Sequence, residues 1–179
     1  MTAENTVVLG VLAESPYAEF MGDINNPMCV VGPGCLYWAH ANAYTPDIQK
    51  TTLELGYDDF SKQVLTTLGA EIPLVTFLIS GRPMVVNDAL ASSSAFVAAW
   101  LPGTSGGEAM GSALFGDYLF RGGNENSLAN TLPIQWIKDI ASLENYPDYL
   151  EDGSVPIIKN ALFEIGHGLV TRPKSAEEI

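Results

Sequence analysis

The sequence predicts an α/β fold with a mostly parallel sheet flanked by helices. Three observations point there. Short apolar runs suited to buried strands occur at residues 7–13, 72–80 and 95–101. Helical periodicity falls between or after them, at 58–69 and 105–115. Composition supplies a core, since 47% of the 179 residues are apolar and 16% are charged, which suits a globular domain and not a disordered chain.

Each element has a local reason. Residues 7–13 (VVLGVLA) are apolar on both faces and short, as in a buried strand. Residues 14–56 follow as a long loop, broken by Pro16, Pro27, Gly32, Pro33, Gly34 and Pro46. A loop of that length in a compact domain is more often ligand-facing than idle. Asp58 reads as a helix N-cap, with Phe60, Val64, Leu65 and Leu68 on one face and Gly69 as the stop. Residues 72–80 form the second strand and 84–90 a short helix or turn over the sheet. Residues 95–101 form the third strand, followed by a helix with Ala109, Ala113 and Leu114 on its stripe. This order is that of parallel βαβ units. Beyond Gly116, residues 132–136 read as an edge strand, 137–143 as a helical turn and 145–155 as an acidic loop. A single domain is expected over 1–172, with 14–56 as its ligand-facing loop and 173–179 as a frayed tail.

Charge excludes several function classes. With 21 Asp and Glu against 8 Lys and Arg, the chain stands at −13, which disfavours nucleic acid and anionic membrane surfaces. The longest apolar runs reach about seven residues where a spanning helix needs roughly 20. No signal peptide is visible at the N-terminus. A soluble protein is therefore expected, with its compartment left open. Cys29 and Cys35 lie in a Gly- and Pro-rich stretch, where a small disulfide ring and two free thiols are both open. With only two Cys and with His40 and His167 as the sole histidines, no metal site and no cofactor are expected.

Three features carry chemistry. No Lys or Arg occurs before Lys50, yet Glu14, Glu19 and Asp23 follow the first strand within ten residues. The crevice beyond the carboxyl ends of parallel strands is a common ligand site. Carboxylates there without a nearby cation repel one another, and desolvation raises a carboxyl pKa further, as a general acid requires. A solvated acidic loop or a weak Ca²⁺ site is the alternative. The second feature, Gly103-Thr-Ser105-Gly-Gly107, matches a nucleophile elbow, with Asp148 or Asp152 and then His167 completing the order of a serine esterase. A structural glycine turn in which Ser105 caps the helix is the favoured explanation, with the esterase a minor alternative. The third is Arg82 at the end of the second strand, able to clamp an acidic group or to form a structural ion pair. Tyr17, Trp38 and Tyr44 add aromatic faces that stack on sugars or simply pack the loop.

Four linked segments carry a resemblance: Glu14-Ser-Pro-Tyr-Ala-Glu-Phe-Met-Gly-Asp23, Leu78-Ile-Ser-Gly-Arg-Pro83, Ala98-Ala-Trp-Leu-Pro-Gly103 and Ala113-Leu-Phe-Gly-Asp117. In order and interval they resemble the C-terminal, flavodoxin-like α/β sandwich domain of family 3 glycoside hydrolases, in the β-glucosidase and exo-β-glucanase branch. The likeness continues more weakly through Leu132-Pro133, Trp136 and residues 162–169.

The resemblance implies retaining hydrolysis of a β-glucoside or β-glucan through a covalent glycosyl-enzyme. In that family a separate barrel carries the nucleophilic aspartate. Glu19, in Pro16-Tyr-Ala-Glu19, matches the acid/base glutamate; Glu14, Tyr17 and Asp23 match supporting or substrate-proximal positions, and Arg82 matches a nearby ion-pair partner. Nothing in the chain resembles the barrel, and the opening βα units of the sandwich are absent. Asn130-Thr131 stands where the family has Gly-Arg, and His167 where a Tyr is common. The implied partner is a protein chain or domain that supplies the nucleophile, and this chain alone is expected to be inactive. A non-catalytic, glycosidase-derived subunit of a larger assembly is the alternative that the drifted motifs suggest.

Overall fold

The computed structural model describes residues 5–14, 52–118, 120, 130–143 and 157–169. Its centre is a three-stranded parallel sheet in the order β1-β2-β3, formed by β1 (Val8–Ala13), β2 (Leu74–Ile79) and β3 (Ala95–Trp100). Helix α1 (Asp59–Glu71) joins the sheet before β2, α2 (Asn87–Ala91) lies between β2 and β3, and α3 (Gly106–Phe115) follows β3. The predicted α/β class and all three strands are present, each strand one to three residues shorter than its apolar run. The expected features of residues 15–51, 144–156 and 170–179 lie outside the described residues, among them both cysteines, the acidic loop and the tail.

Register sorts the side chains into two faces. Val8, Gly10 and Leu12 stand beside Leu74, Thr76 and Leu78 on one face, while Leu9 and Val11 stand beside Val75 and Phe77 on the other. The first face meets the core, where Leu12, Leu55, Leu78, Met84, Val86, Ala89 and Trp136 pack together with Leu65 and Phe96 around them. Gly10 permits the approach of α1, because a Cβ there would stand 3.3 Å from the Leu65 side chain. Leu55 is buried in this core, and Glu54 bridges Val85, so the last residues of the predicted ligand-facing loop belong to the packing.

Helix α1 starts where Asp58 predicts. Its side chain accepts a 2.8 Å hydrogen bond from the Ser61 amide, and this contact lowers the Asp58 pKa. Two expectations for this helix need correction. Phe60 is 75% exposed, because it precedes Leu65 by five residues and so lies roughly 140° around the helix from it. Gly69 does not stop the helix, which runs on to Glu71. It serves close packing: a Cβ there would collide with the carbonyl oxygen of Ser92, just after α2.

Two further corrections concern strands. β1 is not buried on both faces: Val7, Leu9 and Val11 are 57%, 55% and 58% exposed, since β1 is an edge of the sheet and nothing described covers its second face. Residues 132–136 form no strand, only a single antiparallel bridge between Trp136 and Phe163. Pro133 lacks a ladder donor, and the Gln135 side chain takes over the pairing. Its Nε2 donates to the Ile158 carbonyl at 3.2 Å and its Oε1 accepts from the Ile158 amide at 2.6 Å.

The glycines yield a paired prediction. Gly69→Ala should destabilise the chain by about 1–3 kcal/mol through overpacking, outweighing the gain in helix propensity. Gly111→Ala, inside α3 where a Cβ meets nothing within 4 Å, should stabilise it by about 0.5–1 kcal/mol. Urea denaturation of both variants checks the pair.

Candidate functional site

The carboxyl ends of the strands converge on one buried ion pair. β1 ends at Ala13, and the next residue, Glu14, donates its backbone N–H to the Ile79 carbonyl at 2.9 Å, carrying the strand pairing one residue further. Its carboxylate points inward with 1% of the side chain exposed. Past the end of β2, Arg82 meets it with two donors on one oxygen: Nε reaches Oε1 at 3.0 Å and Nη2 reaches the same atom at 2.6 Å. The other oxygen, Oε2, accepts from the Ser80 hydroxyl at 2.8 Å.

Ser80 knots the three strand ends together. Its amide donates to the Trp100 carbonyl at 3.1 Å, tying β2 to β3. Its Oγ also lies 2.9 Å from the Arg82 carbonyl and 3.3 Å from the Arg82 amide. One hydroxyl hydrogen serves one acceptor at a time, and the charged carboxylate is the stronger acceptor. The hydroxyl therefore donates to Glu14 and accepts from the Arg82 N–H.

The pairing of β2 with β3 slips at this same level. Leu78 stands beside Ala98 but Ile79 beside Trp100, leaving Ala99 as an extra residue. Trp100 adopts φ 55°, a conformation uncommon for a bulky side chain. Its ring rests against Trp136, with centroids 5.9 Å apart and planes at 52°. The Trp136 indole donates to the Met84 carbonyl at 2.8 Å. Phe163 and His167 stack at 4.3 Å. These four rings border a cavity of about 550 Å³ between β3 and the segments at 130–133 and 167–169. Its aromatic wall escaped the sequence reading, because its members lie far apart in the chain and share no periodicity.

Of the site residues picked from sequence, the structure brings Glu14 and Arg82 together in an ion pair. Glu19, Tyr17 and Asp23 lie outside the described residues. Ser80 is the member that sequence reasoning missed, although it adjoins Arg82 in Ser80-Gly-Arg-Pro83. Of the esterase candidates, Asp148 and Asp152 lie outside the described residues. Ser105 lines a cavity under α3 and His167 lines the aromatic one, and Ser105 sits at φ −90° without the strain of a nucleophile elbow. Nor does Ser105 cap α3 with its side chain, although it occupies the N-cap position. A smaller polar cavity of about 400 Å³ lies beside α1 and α2, lined by Glu54, Tyr57, Asp59, Lys62 and Asp88 among others. There Lys62 pairs with Asp88 at the surface, and burial raises the Tyr57 pKa with a further push from Asp88.

Breaking the Glu14 pair should be costly, since a buried charge left alone loses both hydration and partner. Arg82→Ala is expected to destabilise the chain by about 3–5 kcal/mol. Arg82→Lys should recover only part, because an ammonium cannot reproduce two aligned guanidinium donors. Denaturant midpoints of the two variants test this, and equal losses would contradict the two-donor geometry.

Comparison with known proteins gives a consistent result. The profile of the glycosyl hydrolase family 3 C-terminal domain matches residues 28–171. A xylan 1,4-β-xylosidase of Xylanibacter ruminicola is 30% identical over 122 residues, which is 67% of this chain and 13% of that protein. A periplasmic β-glucosidase of Salmonella typhimurium is 31% identical over 81 residues, 45% of this chain and 10% of that protein. Among solved structures, an exo-1,3/1,4-β-glucanase from a Pseudoalteromonas species matches 91% of this chain and 16% of its own, at 29% identity and a TM-score of 0.53. A β-glucosidase from Listeria innocua, 19% identical, shares the fold over 92% of this chain and 20% of its own, with a TM-score of 0.55. The chain thus spans a fifth or less of each of these relatives.

Proposed function

The chain belongs to the glycosyl hydrolase family 3 C-terminal domain family, and from that premise we propose that it contributes the acid/base carboxyl, Glu19, to a retaining β-glycosidase. The nucleophile comes from a protein partner or domain of the barrel type. The observation that carries this reading is the pinned carboxyl end of β1. Glu14 is locked by Arg82 and Ser80, and Glu19 follows it by five residues, a reach of at most about 18 Å of extended chain. That tether is the ground for assigning Glu19 to the strand ends, where parallel sheets commonly hold ligands.

On this reading the chemistry divides between two carboxyls about 5–5.5 Å apart. Glu19 protonates the glycosidic oxygen as the partner's carboxylate attacks the anomeric carbon, forming a glycosyl ester. Glu19, now ionised, takes a proton from the water that hydrolyses the ester and is ready for another turn. Glu14 and Arg82 position the segment, while Tyr17 and Asp23 serve as substrate-proximal groups. The substrate class is a β-linked glucoside or glucan. The xylosidase relative makes β-xylosides the natural comparison.

A second reading, a non-catalytic subunit derived from a glycosidase, draws support from the exposed apolar face of β1, a surface suited to assembly. Kinetics separate the two. Material purified natively with its partners should hydrolyse an aryl β-glucoside, and Glu19→Gln should lower kcat by about 10²–10⁴ with recovery on adding azide. Full activity in Glu19→Gln would refute the acid/base assignment. Inactivity of partner-containing material towards both glucoside and xyloside would leave the subunit reading.

A further inference from the structure

The aromatic cavity beside β3 is lined by no Asp, Glu, Lys or Arg, in a chain that stands at −13. His167 is the only ionisable residue on its wall, and Glu14, Ser80 and Arg82 take no part in it. Phe96, Trp100, Trp136 and Phe163 supply most of its ring surface. The residues on its two sides are held in place. At β3, Ala99 is the extra residue in the pairing with β2, and Trp100 follows it with the left-handed φ of 55°. Such irregularities re-aim a side chain, and a bulky residue kept in that conformation points to a use for its placement. On the other side, the Leu132 amide donates to the His167 carbonyl at 2.8 Å and the Gly166 amide to the Leu132 carbonyl at 2.9 Å. His167 is thereby fixed, stacked on Phe163. Among the described residues, neither the Trp100 indole N–H nor the His167 imidazole has a hydrogen-bond partner, whereas the Trp136 indole is taken by the Met84 carbonyl. No buried side-chain nitrogen among the described residues lacks a partner, so the Trp100 N–H faces space that a ligand can reach. His167 is itself exposed.

We propose that this cavity binds a neutral aromatic ring bearing an oxygen, the phenol class, either free or as the aryl group of a glycoside. A mostly apolar cavity with a few polar groups is the common form of a small-molecule site, and about 550 Å³ lies within the usual size. The chemistry of the wall selects the guest. Aromatic rings gain from offset and edge-to-face contacts with the four rings there. The ring oxygen accepts from the Trp100 N–H, and a free phenol also donates to the bare imidazole nitrogen of His167. An anionic ligand would find no Lys or Arg on the wall. A bare sugar carries several hydroxyls, and most of them would be buried against apolar side chains without partners. The inference stands whether or not Glu19 acts as an acid, because it rests on β3 and the segments at 130–133 and 166–168 alone.

Magnetic resonance of the isotope-labelled full chain tests this, with phenol, phenyl β-glucoside and methyl β-glucoside as probes. Phenol should move the Trp100 indole N–H and the His167 ring signals saturably, with a Kd of about 1 mM or below, as a ligand of few heavy atoms allows. Methyl β-glucoside should move neither. Phenyl β-glucoside acting as phenol does would identify the guest as an attached aryl group, and a response to phenol alone would identify it as the free compound. His167→Ala, which loses the ring and its nitrogen, should weaken phenol binding by about 10–70-fold. His167→Phe, which keeps the ring, should weaken it only about fivefold. Both variants should retain the parental circular dichroism, because His167 is exposed. Silence at Trp100 up to about ten times the expected Kd would overturn the site. So would His167→Ala binding phenol as the parent does. An equal response to methyl β-glucoside would overturn the aromatic class of ligand.

Discussion

A single buried carboxylate organises the end of this sheet. Glu14, Arg82 and Ser80 join the exits of β1 and β2, and the Ser80 amide extends the tie to β3. Such a pair contributes little net stability, because removing two charges from water costs about what their attraction returns. Its larger effect is on geometry. Once formed, it holds the strand ends in one arrangement, since any other would leave a charge buried without a partner. Residues 15–19, which lead to the proposed acid, start from that point.

Much of this was legible in the sequence, for physical reasons that can be named. The three strands were visible because short, largely apolar runs have few other uses, and α1 was visible because Asp58 announces its own cap. The errors arose where meaning depends on distant chain. Gly69 looked like a helix stop, yet its neighbour is Ser92. Residues 132–136 alternate like a strand, yet Gln135 diverts the pairing to Ile158. The run at 7–13 reads as buried on both faces, and its composition does suit that environment. What the sequence could not display is that no described element supplies the second layer.

The site was half legible. The absence of cations before Lys50 drew attention to Glu14, Glu19 and Asp23, and the four linked motifs pointed to the family that the profile match establishes. The resemblance pointed to Arg82 as an ion-pair partner near these carboxylates, but that Glu14, 68 residues away, is the one it takes is visible only in the fold. Ser80 was missed because a serine after a strand carries no signal until its hydroxyl is seen between carboxylate and amide. Among the described residues, the second face of β1 is exposed at Val7, Leu9 and Val11.

The claim on which the rest depends is that Glu14 and Arg82 act as a coupled pair. A double-mutant cycle joining Glu14→Gln and Arg82→Met, read by urea denaturation, tests it most directly. Direct contact predicts a coupling energy of about 1–3 kcal/mol, with the double variant less damaged than the sum of the single losses. Losses that add to within about 0.5 kcal/mol would mean that the two side chains do not depend on each other, and the account of this sheet edge would fail.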